Sequence, residues 1–157
     1  MSPAVSFAPV LKSIDVDAPP PRAFEVFTAF RWWPKSHSIL ASKSPQAAVT
    51  VEPHVGGRWY ERGDDGSTCQ WGSVLSWEPT TRLVLSWDIT ANWQYDPELK
   101  TEIEVKFIAD GKNGTRVELE HRRLDRYGER RDEMRAIFET QGDWGKLLQR
   151  FAQAAAA

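Results

Sequence analysis

The feature that most constrains the fold is a series of short segments in which apolar and polar residues alternate one by one. Three of these segments are residues 83–87, 103–107 and 117–121, and a polar stretch or a hairpin turn separates each from the next. Period-two alternation is typical of a strand with one buried and one wet face, and antiparallel meanders often bury only one face. The pattern therefore predicts an antiparallel sheet whose dry face needs a cover.

The N-terminal part of the chain predicts a strand followed by short helices. Residues 7–17 have the apolar spacing of an extended segment. The prolines at 19–21 suit the first turn of a helix, and helical apolar spacing follows them. Pro34 predicts the end of this helix near Trp33. Residues 35–46 are predicted to form a loop or a short second helix.

The last segment supplies the cover for the dry face. Within residues 129–152, apolar side chains recur mostly at helical spacing, at Met134, Ile137, Phe138, Trp144, Leu148 and Phe151. About 24 helical residues span roughly 36 Å, enough to cross a curved sheet. Gly142 and Gly145 each weaken a helix by about 1 kcal/mol, and they predict a kink or a close backbone approach.

A run of strands followed by a helix is typical of an α+β fold. We therefore expect a curved antiparallel sheet of six or seven strands wrapped around a long C-terminal helix, with two short helices after strand 1. Residues 1–157 are predicted to form one domain, since no linker or internal repeat divides the chain. The space between a curved sheet and one helix is the natural place for a pocket.

Charge and cysteine content exclude several classes of protein. The net charge is −2, which excludes a dedicated nucleic-acid binder because such proteins need a concentrated basic surface. The single cysteine, Cys69, allows no intrachain disulfide and suits a reducing compartment. No apolar run approaches the roughly 20 residues of a membrane span, and the N-terminus does not resemble a signal peptide. We expect a cytoplasmic protein with no membrane span.

Six short motifs cover nearly the whole chain in a fixed order. They are Arg31-Trp32-Trp33-Pro34, Val55-Gly56-Gly57-Arg58-Trp59, residues 71–79 (WGSVLSWEP), residues 82–87 (RLVLSW), residues 115–121 (TRVELEH) and Gly142-Asp143-Trp144. With these motifs the chain resembles the START-like helix-grip superfamily of birch-pollen-allergen-like proteins and polyketide cyclases. Within it, the chain is most similar to the family of the activator of heat-shock-protein-90 ATPase. The resemblance implies a helix-grip fold with a hydrophobic cavity, and a possible chaperone partner in the stress response.

The residue patterns for a metal or a phosphate cofactor are missing from the sequence. The histidines at 37, 54 and 121 lie on different segments without metal-ligand spacing. Gly56-Gly57 precedes a predicted strand, so it is not the glycine-rich turn at a helix start that binds phosphate. Cys69 shares the predicted dry face with Trp71, which favours an inert core thiol. We expect no metal, no cofactor and no catalytic residue.

Glu61 is the one carboxylate that the alternation places beside an inward tryptophan, Trp59. It is either one half of an acid/base pair or a rim carboxylate in water.

The chain has eight tryptophans, and the strand and helix periods place five of them on the inward side, at positions 59, 71, 77, 87 and 144. Filling one small domain with five indoles is difficult at native packing density, so we expect some of them to line an aromatic cavity that Trp33 guards. The predicted ligand-binding residues are Trp33, Trp59, Trp71, Trp87, His121, Phe138, Gln141 and Trp144. On this hypothesis His121 and Gln141 bind the polar end of the ligand; alternatively, protein groups or a trapped water satisfy them.

Three functions follow as hypotheses. The favoured one is a small-molecule binding protein that holds a hydrophobic or aromatic ligand in the cavity. The second is a partner-binding module that modulates a chaperone ATPase through its outer surface, as the resemblance implies. The third is a cyclase-like or hydrolase-like enzyme that acts in the cavity.

Overall fold

The computed structural model describes residues 7–141 and 144–157. Its centre is a curled, seven-stranded sheet in the order β1-β7-β6-β5-β4-β3-β2, and every neighbouring pair is antiparallel. The strands are β1 Val10–Val16, β2 Gln46–Val51, β3 Arg58–Gly63, β4 Thr68–Glu78, β5 Arg82–Trp87, β6 Thr101–Asp110 and β7 Gly114–Arg122. The predicted α+β class and antiparallel meander are confirmed.

The β3–β4 hairpin turns at residues 64–67, where the sequence predicts a turn. Gly66 has a φ of +84°, a left-handed value that glycine adopts without a steric penalty. Its amide donates to the carbonyl of Gly63 at 3.0 Å, which closes the turn.

Strand β4 contains a bulge that the alternation does not reveal. Its pairing with β5 skips a residue between Val74 and Ser76. A second bulge lies earlier in the strand, where the pairing with β3 skips Trp71. Val74 is 1% exposed and Leu75 is 44% exposed. Strict alternation from Trp71 predicts that Leu75 lies on the dry face. This prediction is wrong, because the bulge at Trp71 inserts one residue and reverses the alternation beyond it.

Two short helical elements follow β1. Helix α1, Pro20–Ala29, has prolines in its first turn and buries Ala23, Phe24 and Phe27. Beyond Pro34, a single 3-10 turn over Lys35–His37 is the second element. This turn and the chain after it reach the edge of the space between sheet and helices.

The predicted long C-terminal helix is confirmed, although it is not one regular α-helix. It begins as a 3-10 segment, Leu124–Arg130, and continues as helix α2, Arg131–Ala136, a π turn, Ile137–Gln141, and helix α3, Trp144–Ala156. The predicted kink at Gly142 lies outside the described residues.

Two aromatic residues six positions apart, Phe138 in the π turn and Trp144 at the start of α3, are both buried. In a regular α-helix, residues six positions apart point about 120° away from each other. Phe138 and Trp144 are nevertheless both buried. The described part of the chain between them, through Gln141, is a π turn and not an α-helix.

The core lies between the concave face of the sheet and the helices α1 and α3. Phe27 of α1 and Phe151 of α3 meet edge to face there, with ring centroids 5.1 Å apart. Among the described residues, no helix has the length and apolar content needed to cross a membrane.

Candidate functional site

A cavity of about 510 Å³ lies between the sheet and the C-terminal helical segment. This volume is within the usual range for small-molecule sites. Five of the eight predicted site residues line it, namely Trp33, Trp71, Trp87, Phe138 and Trp144. All five are buried, and their rings form a connected wall: the ring of Trp33 lies 5.2 Å from that of Trp71 and 5.9 Å from that of Trp144.

The mouth of the cavity is built from residues that the sequence analysis did not select. Ser36, His37, Ser38 and Ile39 line one side of it. Trp93, from the loop between β5 and β6, also lines the cavity and is 42% exposed. The only signals for these residues are their loop positions and, for His37, its place just after the motif that ends at Pro34.

Trp59 is not a lining residue. It is 1% exposed and lies behind the wall, with its ring centroid 5.3 Å from that of Trp71 and 5.5 Å from that of Trp87. Its place in the structure is therefore to support two of the lining indoles.

His121 is fully buried, and both of its ring nitrogens have protein partners. Trp144 Nε1 donates to His121 Nδ1 at 3.2 Å. His121 Nε2 lies 3.1 Å from Thr101 Oγ1, whose own proton is donated to the carbonyl of Trp87 at 2.7 Å. His121 Nε2 therefore carries the proton and donates to Thr101. Burial lowers the pKa of His121 to about 3, so the ring is neutral at ordinary pH.

This geometry is the one expected if protein groups satisfy His121. Through its two nitrogens, His121 connects the side chain of Trp144 to Thr101 and the backbone of Trp87, and both tryptophans line the cavity. The backbone of Gln141 ends the π turn, but its side chain lies outside the described part of the chain. The expected pairing of His121 and Gln141 across the cavity thus stays a prediction.

Glu61 is 0% exposed, so the expectation of a rim carboxylate in water is wrong. Its Oε1 accepts from Ser38 Oγ at 2.5 Å and from Gln46 Nε2 at 3.2 Å. Its Oε2 accepts from the Ile39 amide at 2.9 Å and from Trp71 Nε1 at 3.0 Å. A carboxylate has about four lone-pair sites, and all are occupied here. Glu61 therefore positions the mouth residues against the cavity wall.

Three buried indole NH groups, those of Trp33, Trp59 and Trp87, have no hydrogen-bond partner among the described residues. The NH of Trp87 is close to the hydroxyl of Tyr127 without reaching hydrogen-bond geometry, and that hydroxyl donates its own proton to the carbonyl of Ile89 at 2.6 Å. A buried donor without an acceptor costs about 1–3 kcal/mol. Two of the three belong to lining residues, so the wall contains unused donors.

Among the described residues that line the cavity, His37 is the only one with an ionisable side chain. Partial burial of its ring, followed by the positive charge of Arg150, lowers its pKa below the usual 6.5. Arg150 is fixed nearby because its Nε donates to the carbonyl of Trp32 at 2.9 Å. Across the described residues, no cluster of three or more His, Cys, Asp or Glu side chains has metal-binding geometry.

Cys69 lies outside the cavity wall and is partly buried. Burial and the negative charge of Glu61 raise the pKa of its thiol to about 11. At neutral pH the thiol is protonated and is a poor nucleophile.

Known proteins share this architecture. Residues 17–156 match the family model described as Activator of Hsp90 ATPase homolog 1-like protein. An anthrahydroquino-gamma-pyrone synthase, Txn09, solved in complex with SUM, is 39% identical; the match covers 95% of this chain and 97% of that chain, with a TM-score of 0.65. CalC, a self-sacrificing resistance protein from Micromonospora echinospora, is 29% identical over 94% of each chain, with a TM-score of 0.70.

A more distant structure, the Aha1 dimer from Colwellia psychrerythraea, is 19% identical; the match covers 96% of this chain and 97% of that chain. Its TM-score of 0.61 shows a shared fold. No curated protein matches the chain. The helix-grip resemblance predicted from the sequence motifs is confirmed.

Proposed function

The chain belongs to the Activator of Hsp90 ATPase homolog 1-like protein family, and within that family we propose that it binds a planar, polycyclic aromatic compound with oxygen substituents in its cavity. The family and its fold indicate ligand binding or cyclase-type chemistry. The proposal goes further by naming the class of ligand.

The observation that carries the proposal is the aromatic wall. Five indoles and one phenyl ring line a cavity of about 510 Å³. Aromatic rings attract other aromatic rings in offset-stacked and edge-to-face arrangements. The polar lining side chains come from the mouth, at Ser36, His37 and Ser38. A flat ligand with most of its surface apolar and a few oxygens fits this distribution.

The unused indole donors favour a ligand that carries oxygens over a pure hydrocarbon. The NH groups of Trp33 and Trp87 are buried without acceptors. A carbonyl or hydroxyl oxygen on the ligand is the kind of acceptor that these NH groups lack. Such a contact recovers part of the free energy that an unpaired buried donor costs.

The most informative relative supports the same ligand class and adds a second candidate function. Its name describes a synthase of an anthrahydroquino-gamma-pyrone, a polycyclic compound whose pyrone ring contains an oxygen, and it is 39% identical to this chain. A ring-closing reaction on such a compound is therefore the second candidate, with the cavity as the reaction chamber.

Binding to a chaperone is the alternative that the family name suggests, and the experiment must distinguish it from ligand binding in the cavity. A chaperone would contact the outer surface, so changes at the cavity mouth would leave that activity intact.

Titration of the protein with 1,2-dihydroxyanthraquinone tests the proposal through quenching of tryptophan fluorescence. We expect saturable quenching with one molecule bound per chain. Ser36→Phe places a ring in the mouth at an exposed position, and we expect it to weaken binding at least tenfold. The matched control is Ser13→Phe, on the exposed outer face of β1, which should bind like the wild type. Quenching that does not saturate, or that Ser36→Phe leaves unchanged, contradicts the proposal.

A further inference from the structure

We propose that His37 is the proton acceptor of the cavity and takes the proton of a phenol or enol hydroxyl on the bound aromatic ligand. This inference rests on the proposed function, since it requires a ligand in the cavity. It assigns a chemical role to a mouth residue.

The position of His37 is the first argument. The residue ends the 3-10 turn Lys35–His37 and lines the mouth of the cavity. Its ring meets that of Trp33 edge to face, with centroids 6.2 Å apart and planes at 83°. A ligand stacked on the wall near Trp33 therefore places its edge, where hydroxyl groups lie, beside the imidazole.

The free ring nitrogens are the second argument. His121 uses both nitrogens within the protein, and His54 Nδ1 lies 3.1 Å from the carbonyl of Val55. Among the hydrogen bonds of the described residues, none involves the ring of His37. A general base needs an unoccupied lone pair within reach of the proton that it removes, and His37 meets that requirement.

Other groups near the cavity are unsuited to this role. The four lone-pair sites of Glu61 are occupied by protein donors. The hydroxyl of Ser38 donates to that carboxylate, and a serine hydroxyl is a very weak base. Among the described residues that line the cavity, His37 is therefore the group suited to accept a proton.

The electrostatic surroundings favour a neutral imidazole that can receive a proton. Burial and the charge of Arg150 on α3 lower the pKa of His37, so the ring is neutral at pH 7. The turn that carries His37 contributes one further cation, Lys35. Once the proton has moved, the anion formed on the ligand lies near imidazolium and guanidinium charges, which stabilise it.

The proton-transfer step balances without any co-reactant. The O–H bond of the ligand breaks, the proton goes to a ring nitrogen of His37, and the electron pair stays on the ligand oxygen. In a ring closure, this oxygen attacks a ketone carbon of the same molecule and forms a C–O bond. The carbonyl oxygen then takes the proton from His37 and becomes a hydroxyl. Loss of that hydroxyl, with a proton from the neighbouring carbon, releases water and leaves a pyrone-type ring.

A pH titration of the colour of 1,2-dihydroxyanthraquinone tests the inference without requiring turnover, because the absorption of this probe changes when it loses a phenolic proton. We expect the bound probe to deprotonate about one pH unit or more lower on the wild type than on His37→Gln, since an opposite charge nearby favours the anion. His37→Gln keeps a polar side chain that cannot accept the proton. His54→Gln is the matched control, and it should behave like the wild type.

The outcomes distinguish the role of His37 from the binding of the ligand in the cavity. Equal deprotonation midpoints on the wild type and His37→Gln overturn the role of His37 while leaving ligand binding intact. If His37→Gln loses binding of the neutral probe, His37 is a binding contact and the proton-acceptor role is again overturned. A wild type that does not bind the probe overturns the proposed function itself. A lower midpoint on the wild type, with similar affinity for the neutral probe in both proteins, supports the inference.

Discussion

Replacing Glu61 by leucine tests how the cavity mouth is held against the wall. The substitution removes the acceptor for two donors that cannot turn away, the Ile39 amide and Trp71 Nε1. The hydroxyl of Ser38 and the amide of Gln46 can rotate toward other partners. Each buried donor left without an acceptor costs about 1–3 kcal/mol, so the free energy of unfolding should fall by about 2–6 kcal/mol. For a chain of this length, the melting temperature should drop by roughly 5–20 °C.

The assay is thermal unfolding followed by circular dichroism, with two companion variants. In Glu61→Gln, the amide oxygen can take the place of Oε2 and keep both rigid donors paired, so its loss should be only about 1 kcal/mol. Glu118→Leu removes an exposed carboxylate from β7, and it should change stability by about 0.5 kcal/mol at most. The reasoning is refuted if Glu61→Leu melts at the temperature of the wild type or of Glu118→Leu.

Three further predictions concern the other buried groups and the helical cover. His121→Leu leaves Trp144 Nε1 without its acceptor, so urea unfolding should show a loss of about 1–3 kcal/mol; unchanged stability would show that the bond contributes nothing. Burial raises the pKa of Asp88 from 3.8 to about 6, so the folded state binds this proton more tightly than the unfolded state does. The free energy of unfolding therefore falls as the pH rises from about 4 to about 6. Asp88→Asn can still accept a hydrogen bond from Ser86. At pH 8 it should be more stable than the wild type by on the order of 2 kcal/mol, and near pH 4 this difference should disappear. Equal dependence of stability on pH in the two proteins would refute the argument. Truncation after Gly128 removes the cover of the dry face and should abolish cooperative melting; a sharp two-state transition would contradict it.

The sheet could be predicted because burial on one face forces polar and apolar residues to alternate. The same rule explains the error at Leu75. Bulges at Trp71 and after Val74 change the register of β4 without leaving a periodic signal, so Leu75 turns outward. The long helix was predictable from its apolar stripe, whereas nothing in that stripe predicts the π turn Ile137–Gln141.

The cavity wall was partly predictable, since alternation identifies which side chains face inward. It does not give their depth, and Trp59 lies behind Trp71 instead of beside the cavity. His37 and Trp93 come from irregular segments, where periodicity has no meaning, and they reach the mouth only through the tertiary fold. The burial of Glu61 likewise depends on the chain that crosses over it at Ser38 and Ile39.

The most direct test of the central claim is a crystal structure of the protein grown with 1,2-dihydroxyanthraquinone. Our account predicts one molecule of the compound in the cavity, in contact with the indoles of Trp33 and Trp71 at about 3.5–4 Å, with a hydroxyl group directed toward the mouth. A structure in which the compound lies only on the outer surface, with the cavity free of it, would contradict the account.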